Sequence, residues 1–242
     1  MIADSVFPAQ NDLMRLILLL ANILCLVFSG SMTASCSGHV SGTPLEISGK
    51  TITVRKGGDF QAALEKAAPG DTIVLEAGAT YSGSFKLPKK PGSEFITIRS
   101  SSADAELPAA GVRIDPAKYK DRLPKIISNV RGEPAILAEN GAHHFRFVGI
   151  EFGPTIEGLY DIIKIGSGQE KNAEMLPHHI EFDRVWIHGS EMEGQRRGIA
   201  ANGRHIRVVN SYISDIHRKG DEGQGIAAWA TDGPIEIINN YI

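Results

Sequence analysis

The chain has 242 residues, 42% of them hydrophobic and 22% charged, with a formal net charge of −3. That composition is globular and excludes a nucleic-acid binder held by bulk positive charge. Its 26 glycines exceed the ordinary share of about 7% and point to many tight turns.

The first element in chain order is a targeting segment, residues 1–36. Arg15 precedes the apolar run Leu16 to Gly30. That run is shorter than the ~20 residues of a spanning helix and suits a signal-peptide core. Residues 1–13 hold two Asp and no Lys or Arg, whereas Met14 opens the better signal "MRLILLL", so Met14 is the expected start. The chain has two cysteines, Cys25 inside the apolar run and Cys36 after "TAS". Two readings stand. One is plain secretion with cleavage near Ala34 or Ser35. The other is a lipid anchor on Cys36, although Thr33 then stands where Leu is usual. Either way the exported domain has no disulfide and is held by packing. Residues 37–50, rich in Ser, Gly, Thr and Pro, read as a linker.

A domain over 51–242 follows, beginning with a compact cap over 51–78. "TITV" (51–54) is a strand. "GGDFQAALEKAAPGD" (57–71) is a helix in which Asp59 is the N-cap and Phe60, Ala63, Leu64 and Ala67 make one apolar face. "TIVLEAG" (72–78) is a strand running into a turn. Short strands are expected at 95–100, 125–128 and 135–138, and the Pro/Ala/Asp-rich stretch 102–124 reads as an inserted loop.

Four copies of one ten-residue line then appear: "HHFRFVGIEF" (143–152), "HHIEFDRVWI" (178–187), "RHIRVVNSYI" (204–213) and "GPIEIINNYI" (233–242). From His144 to His179 is 35 residues, to His205 a further 26, and to Pro234 a further 29. Counting from the residue after each, positions one, three and eight are apolar in every copy. Position two is charged in every copy: Arg146, Glu181, Arg207, Glu236. Each line therefore reads as a strand with alternate residues buried. A second strand precedes each copy, at 135–138, 162–165, 198–201 and 225–228. No crossover helix separates the strands. A constant strand at a variable period indicates a solenoid, here an all-β parallel β-helix with an N-terminal capping helix. The chain stops in a strand at Ile242, so it is expected to be a piece of a longer one.

The stretch "GGDFQAALEKAAPGDTIVLEAGATY" followed by "FITIRSS" resembles the N-terminal cap of the pectate-lyase-like superfamily of right-handed parallel β-helices. The resemblance covers about residues 50–242. It implies right-handed coiling, and, joined to the targeting segment, the expectation of an exported protein that acts on or binds acidic polysaccharide. Polysaccharide lyases of this kind remove the proton α to a uronate carboxyl group and neutralise that carboxylate with Ca²⁺, Arg or Lys. The superfamily also holds hydrolases, tailspikes and adhesins, so fold alone does not assign function.

The loops after position eight would stand side by side as one charged wall. They carry His188, Glu191, Glu193, Arg196, Arg197, Asp215, His217, Arg218, Lys219, Asp221 and Glu222. Lys219, crowded by Arg218, is the candidate base, with Arg218 and His217 beside it as catalytic candidates. Arg196, Arg197 and His188 are candidates for binding substrate, since guanidinium groups grip carboxylates in a fork. Asp215, Asp221 and Glu222 are candidate Ca²⁺ ligands. A merely solvated loop face would look the same. No adjacent Asp-Asp pair and no Asn-Thr-Asp of the β-helix galacturonases is present.

His144, His179 and His205 share one aligned position, with His143 and His178 before the first two. Three imidazoles in a row could ligate a transition metal, but a stacked ladder is the expected arrangement, because metal ligands converge on a point whereas ladder side chains run parallel. Trp186, Tyr212 and Tyr241 share position seven. Odd parity with the buried positions makes packing the expected role, and a sugar-stacking strip the alternative. Three functional classes remain open: a lyase, a non-catalytic carbohydrate-binding envelope protein, and an adhesive or structural solenoid.

Overall fold

A computed structural model describes residues 49–154, 160–190 and 194–242. The targeting segment with Cys25 and Cys36, the linker up to residue 48, and Glu191 and Glu193 lie outside the described residues.

The cap forms as its sequence dictates. Strand β1 (Thr51–Val54) leads into helix α1 (Phe60–Lys66). The Asp59 side chain accepts the Ala62 N–H at 2.9 Å and satisfies one of the open donors of the first turn. Phe60, Leu64 and Ala67 are buried, with the Phe60 ring 4.8 Å from Phe85. Strand β2 (Thr72–Leu75) pairs with β1, and β5 (Ile96–Ser100) pairs with β2, all parallel. Between β2 and β5 lie β3 (Thr80–Ser82) and β4 (Phe85–Leu87). Sequence reading did not separate these two, because three residues are too few to show a period.

Each later coil visits three sheets in turn. Sheet III receives β4, β7 (Ile136–Ala138), β10 (Asp161–Ile165), β13 (Arg197–Ala201) and β16 (Gln224–Ala227). Sheet I receives β1, β2, β5, β8 (His143–Val148), β11 (His178–Asp183), β14 (Arg204–Val209) and β17 (Ile235–Ile238). Sheet II receives β3, β6 (Lys125–Ile127), β9 (Glu151–Phe152), β12 (Trp186–His188) and β15 (Tyr212–Ser214). Every pairing of these strands is parallel, and each joins one coil to the next. The chain is a parallel β-helix.

The repeated line is not one strand. Its first half lies in sheet I and its end lies in sheet II, with a corner at position five. Gly149, Arg184, Asn210 and Asn239 hold that corner with φ of 63°, 52°, 54° and 54°. The corner resets the alternation. Positions one, three, six and eight face the core, as in Ile180, Phe182, Val185 and Ile187, all fully buried. Position seven faces outward, which corrects the parity argument for Trp186, Tyr212 and Tyr241.

In-register stacking fills the core. Phe145, Ile180, Ile206 and Ile235 stand in one column, and Phe147, Phe182, Val208 and Ile237 in another. The Phe147 and Phe182 rings stack at 5.2 Å. Each fully buried side chain of this size contributes roughly 1.5–3 kcal/mol by leaving water.

The inserted stretch between β5 and β6 sits where later coils have a single corner residue. It contains a helix α2 (Pro116–Tyr119), N-capped by Asp115, and buries Leu107, Ile114 and Leu123 against Trp186 and Tyr212. Trp186 and Tyr212 are thus packed after all, but beneath this insert and outside the helix core, whereas Tyr241 is exposed. Hydrogen bonds fasten the insert along the corner. Arg184 Nη1 donates to the Pro108 carbonyl at 2.9 Å, the Ile114 N–H to the Asn210 carbonyl at 2.9 Å, and Asn239 Nδ2 to the Gly111 carbonyl at 3.1 Å.

Candidate functional site

The outer face of sheet I and the insert enclose a groove of about 660 Å³. Its floor is made by alternate, outward residues: Thr97 and Arg99 on β5, Arg146 and Val148 on β8, Glu181 and Asp183 on β11, Arg207 and Val209 on β14. Residues 108–111 and Asp104 form its wall. Position two therefore becomes a column of alternating sign. Arg146 Nε donates to Glu181 at 2.6 Å, and Arg207 Nε to Glu236 at 3.1 Å. The two arginine side chains remain 41% and 43% exposed, so their outer donors still face water. Arg184 pairs with Asp183 at 2.7 Å, and Asn210 Nδ2 donates to the same carboxylate at 3.0 Å. Arg99 reaches Asp104 and holds its carboxyl below the usual carboxylate range. The groove can offer guanidinium donors to carboxylates from Arg146 and Arg207, which stand two coils apart, or ~9.6 Å, with Glu181 between them.

The charged wall expected from the loops lies elsewhere, at the corner that joins sheet II to sheet III. Among the described residues, it shares none with the groove lining. The second and third loops are in close contact there: a Cβ on Gly189 would sit 2.1 Å from the Asp215 carbonyl oxygen. Within this wall Arg196, Arg218, Asp221 and Glu222 are paired with one another. Arg196 meets Glu222 at 2.5 Å and Asp221 at 3.8 Å, and it holds the Glu222 carboxyl below its usual range. Arg218 lies 3.8 Å from Asp221 and over the Tyr160 ring at 4.2 Å. Lys219 and Gly220 form the exposed tip of a turn closed by the Asp221 N–H to the Arg218 carbonyl. His217 has a contact within its surroundings and is partly buried.

Arg197 is drawn into sheet III, where it bonds Asp161 at 3.1 Å and Gln224 at 2.9 Å and covers the Trp229 ring at 4.6 Å. His188 joins an outward cluster on sheet II. Its Nε2 is 2.8 Å from the buried Glu151 carboxylate, which Lys125 also meets at 2.6 Å. The candidate Ca²⁺ ligands do not gather. Asp221 and Glu222 turn toward Arg196, and the trio of donors within reach of one ion among the described residues is a different one, His143, His144 and His178.

Those histidines form the stacked ladder that alignment predicts. His143 lies over His178 at 4.7 Å, His144 over His179 at 4.5 Å, and His179 over His205 at 4.5 Å. His144, His179 and His205 all take positive φ, near 52–57°, a conformation in which His is enriched. Burial, reinforced by neighbouring imidazoles, pushes the His144 and His178 pKa values down to about 4, so both rings are neutral at pH 7.

Two features escaped sequence reasoning. The charged position two was visible in all four copies, with alternating sign, but only the sheet shows that it floors a groove. The pairing of His143 with His144 was hidden, because neighbours in a regular strand point to opposite faces.

No protein-family model matches the chain, and no curated protein matches it. Solved structures do. A PL6 family alginate lyase, AlyGC, aligns over 67% of this chain with 20% identity and a TM-score of 0.39, and the chain spans 21% of that enzyme's length. An alginate lyase from Paenibacillus sp. str. FPU-7 aligns over 76% of both chains with 16% identity and a TM-score of 0.38. It is the sheet order and register of the chain itself that make it a parallel β-helix.

Proposed function

We propose that the protein is exported, binds an acidic, uronate-type polysaccharide along the groove over sheet I, and acts on it as a polysaccharide lyase. The observation that carries this reading is the pair Arg146 and Arg207, nearly half-exposed on either side of Glu181 in a groove that runs across successive coils. A long, open groove with repeating cations suits a polymer with repeating carboxylates better than a compact metabolite. The apolar run Leu16 to Gly30 supports export, with Cys36 as the anchor if the chain is lipidated. Ca²⁺ is the cofactor class that a carboxylate substrate would share with the protein's acids.

A second reading, binding without catalysis, is favoured by one observation: among the described residues, the groove lining holds no Lys, His or Tyr. Lys219, the base candidate, stands on another corner. Ultraviolet absorbance of unsaturated product ends, followed on a panel of polyuronates with and without Ca²⁺, separates the two. A rise that Arg146→Ala weakens supports a lyase working in the groove, and a rise abolished by Lys219→Ala moves the chemistry to the wall. Polyuronate binding without any rise leaves the non-catalytic reading.

A further inference from the structure

The corner through which the chain enters sheet I asks only for a residue that tolerates positive φ. The other corner of the same sheet meets that demand with Gly, Arg or Asn. Here it is met by His in three successive coils, and in two of them a second His precedes it. The left-handed φ of His144 breaks the strand alternation locally, as a bulge does. Both rings then lie on one side, with Nδ1 of His143 2.7 Å from Nδ1 of His144 and the rings nearly perpendicular, at 87°. His178 and His179 repeat the arrangement at 2.8 Å and 81°. A ladder alone explains the stacking between coils. It does not explain nitrogen facing nitrogen within each coil.

We propose that His143, His144 and His178 bind one divalent transition-metal ion of the class that prefers imidazole, with Zn²⁺ as the representative. One ligand atom from each lies within 4.8 Å of the others. Three nitrogens around Zn²⁺ at 2.0–2.1 Å stand about 3.3 Å apart in a tetrahedral shell. The Nδ1 pair must open slightly, and His143 and His178, stacked in parallel at 4.7 Å and 5°, must rotate out of the stack so that their nitrogens converge. Oxygen-seeking Ca²⁺ would not choose this site. The proton balance is simple. In the empty pair one Nδ1–H donates to the other Nδ1. When both nitrogens ligate, that proton moves to Nε2 of the same ring; neutral His178, whose Nδ1 faces His179 Nδ1 at 2.8 Å, keeps its proton on its non-ligating nitrogen, and no net proton is released. Solvent fills the remaining coordination position.

The surroundings limit the site to a single ion. Arg204 replaces the third His of the first column, and Lys89 lies near His143. Both cations stand beside proposed ligands, so they weaken the binding of one cation and oppose a second still more. Glu181 lies close enough to His144 and His179 to offset part of that charge.

The test is calorimetric titration of the full chain, without a polyhistidine tag, with ZnCl₂ and separately with CaCl₂. The expected result is one Zn²⁺ per chain and no Ca²⁺ at this site. His143→Ala and His144→Asn should each weaken Zn²⁺ binding by more than the ~10–100-fold that loss of an outer partner costs. His205→Asn, in the same ladder but outside the trio, should bind within about twofold of wild type. Circular dichroism melting of each variant separates lost ligation from lost folding. Zinc-edge X-ray absorption should find three imidazole nitrogens at about 2.0–2.1 Å. Absence of Zn²⁺ binding, an oxygen-only shell, or equal affinity in the folded His143→Ala and His144→Asn variants would overturn the proposal.

Discussion

The two corners of sheet I meet the same backbone requirement with different chemistry. At the exit, Gly149, Arg184, Asn210 and Asn239 turn the chain, and Asn239 Nδ2 donates to Asn210 Oδ1 at 2.9 Å. That corner is roofed by the insert, which buries Ile114 and takes hydrogen bonds from Arg184 and Asn239. At the entrance, His144, His179 and His205 turn the chain, and Phe95 packs edge-on against His144 at 5.2 Å. Backbone strain therefore explains the exit residues almost completely. It explains the entrance residues only in part, and the remainder is side-chain chemistry available to a ligand.

Substitutions can break this contrast, beginning with the core that both corners share. Phe182→Ala removes a fully buried ring stacked on Phe147 and should cost about 3–5 kcal/mol in chemical denaturation. A loss below ~1 kcal/mol would mean that the column does not hold the coils together. Asn210→Ala should cost about 1–2 kcal/mol, from an unfavourable left-handed alanine and two lost side-chain hydrogen bonds. His205→Asn should stay within about 0.5 kcal/mol of wild type, because Asn accepts the same φ. Equal costs at the two corners would erase the distinction.

A pH series on metal-free protein, kept so with a chelator, sharpens it further. His144 and His178 have folded pKa values near 4, below the ordinary 6.5, because burial and the neighbouring imidazoles disfavour the charged ring. Between those values the unfolded chain binds more protons. Stability should thus fall as pH drops from about 6.5 toward about 4 and level off below that. His144→Asn should flatten the slope, whereas Asn210→Ala should leave it unchanged.

Much of the fold is legible because the repeats are stacked in register. Phe145, Ile180, Ile206 and Ile235 align in sequence and pair in space. The Asp59 cap and the apolar face of α1 are local signals and appear as expected. What failed were inferences carried across a corner. Parity placed Trp186 and Tyr212 inside, yet the left-handed residue at position five turns them outward. The insert's docking depends on contacts such as Arg113 to Asn240, 127 residues apart, which no local pattern encodes. The charged wall was a sound grouping of loops, but Arg196 and Arg218 face Asp221 and Glu222 instead of an open cleft. The groove was missed because alternating charge on an outward strand face looks like ordinary solvation until a wall stands beside it.

The most direct test is calorimetric titration of a uronate oligosaccharide into wild type, Arg146→Ala and Arg196→Ala. If polysaccharide lies along sheet I, Arg146→Ala should weaken binding by about tenfold or more, as loss of a charge-assisted hydrogen bond of ~1.5 kcal/mol or above requires. Arg196→Ala should then bind within about twofold of wild type. The opposite order would place the polymer on the wall between sheets II and III, and no binding by the wild type would contradict a polyuronate-handling role altogether.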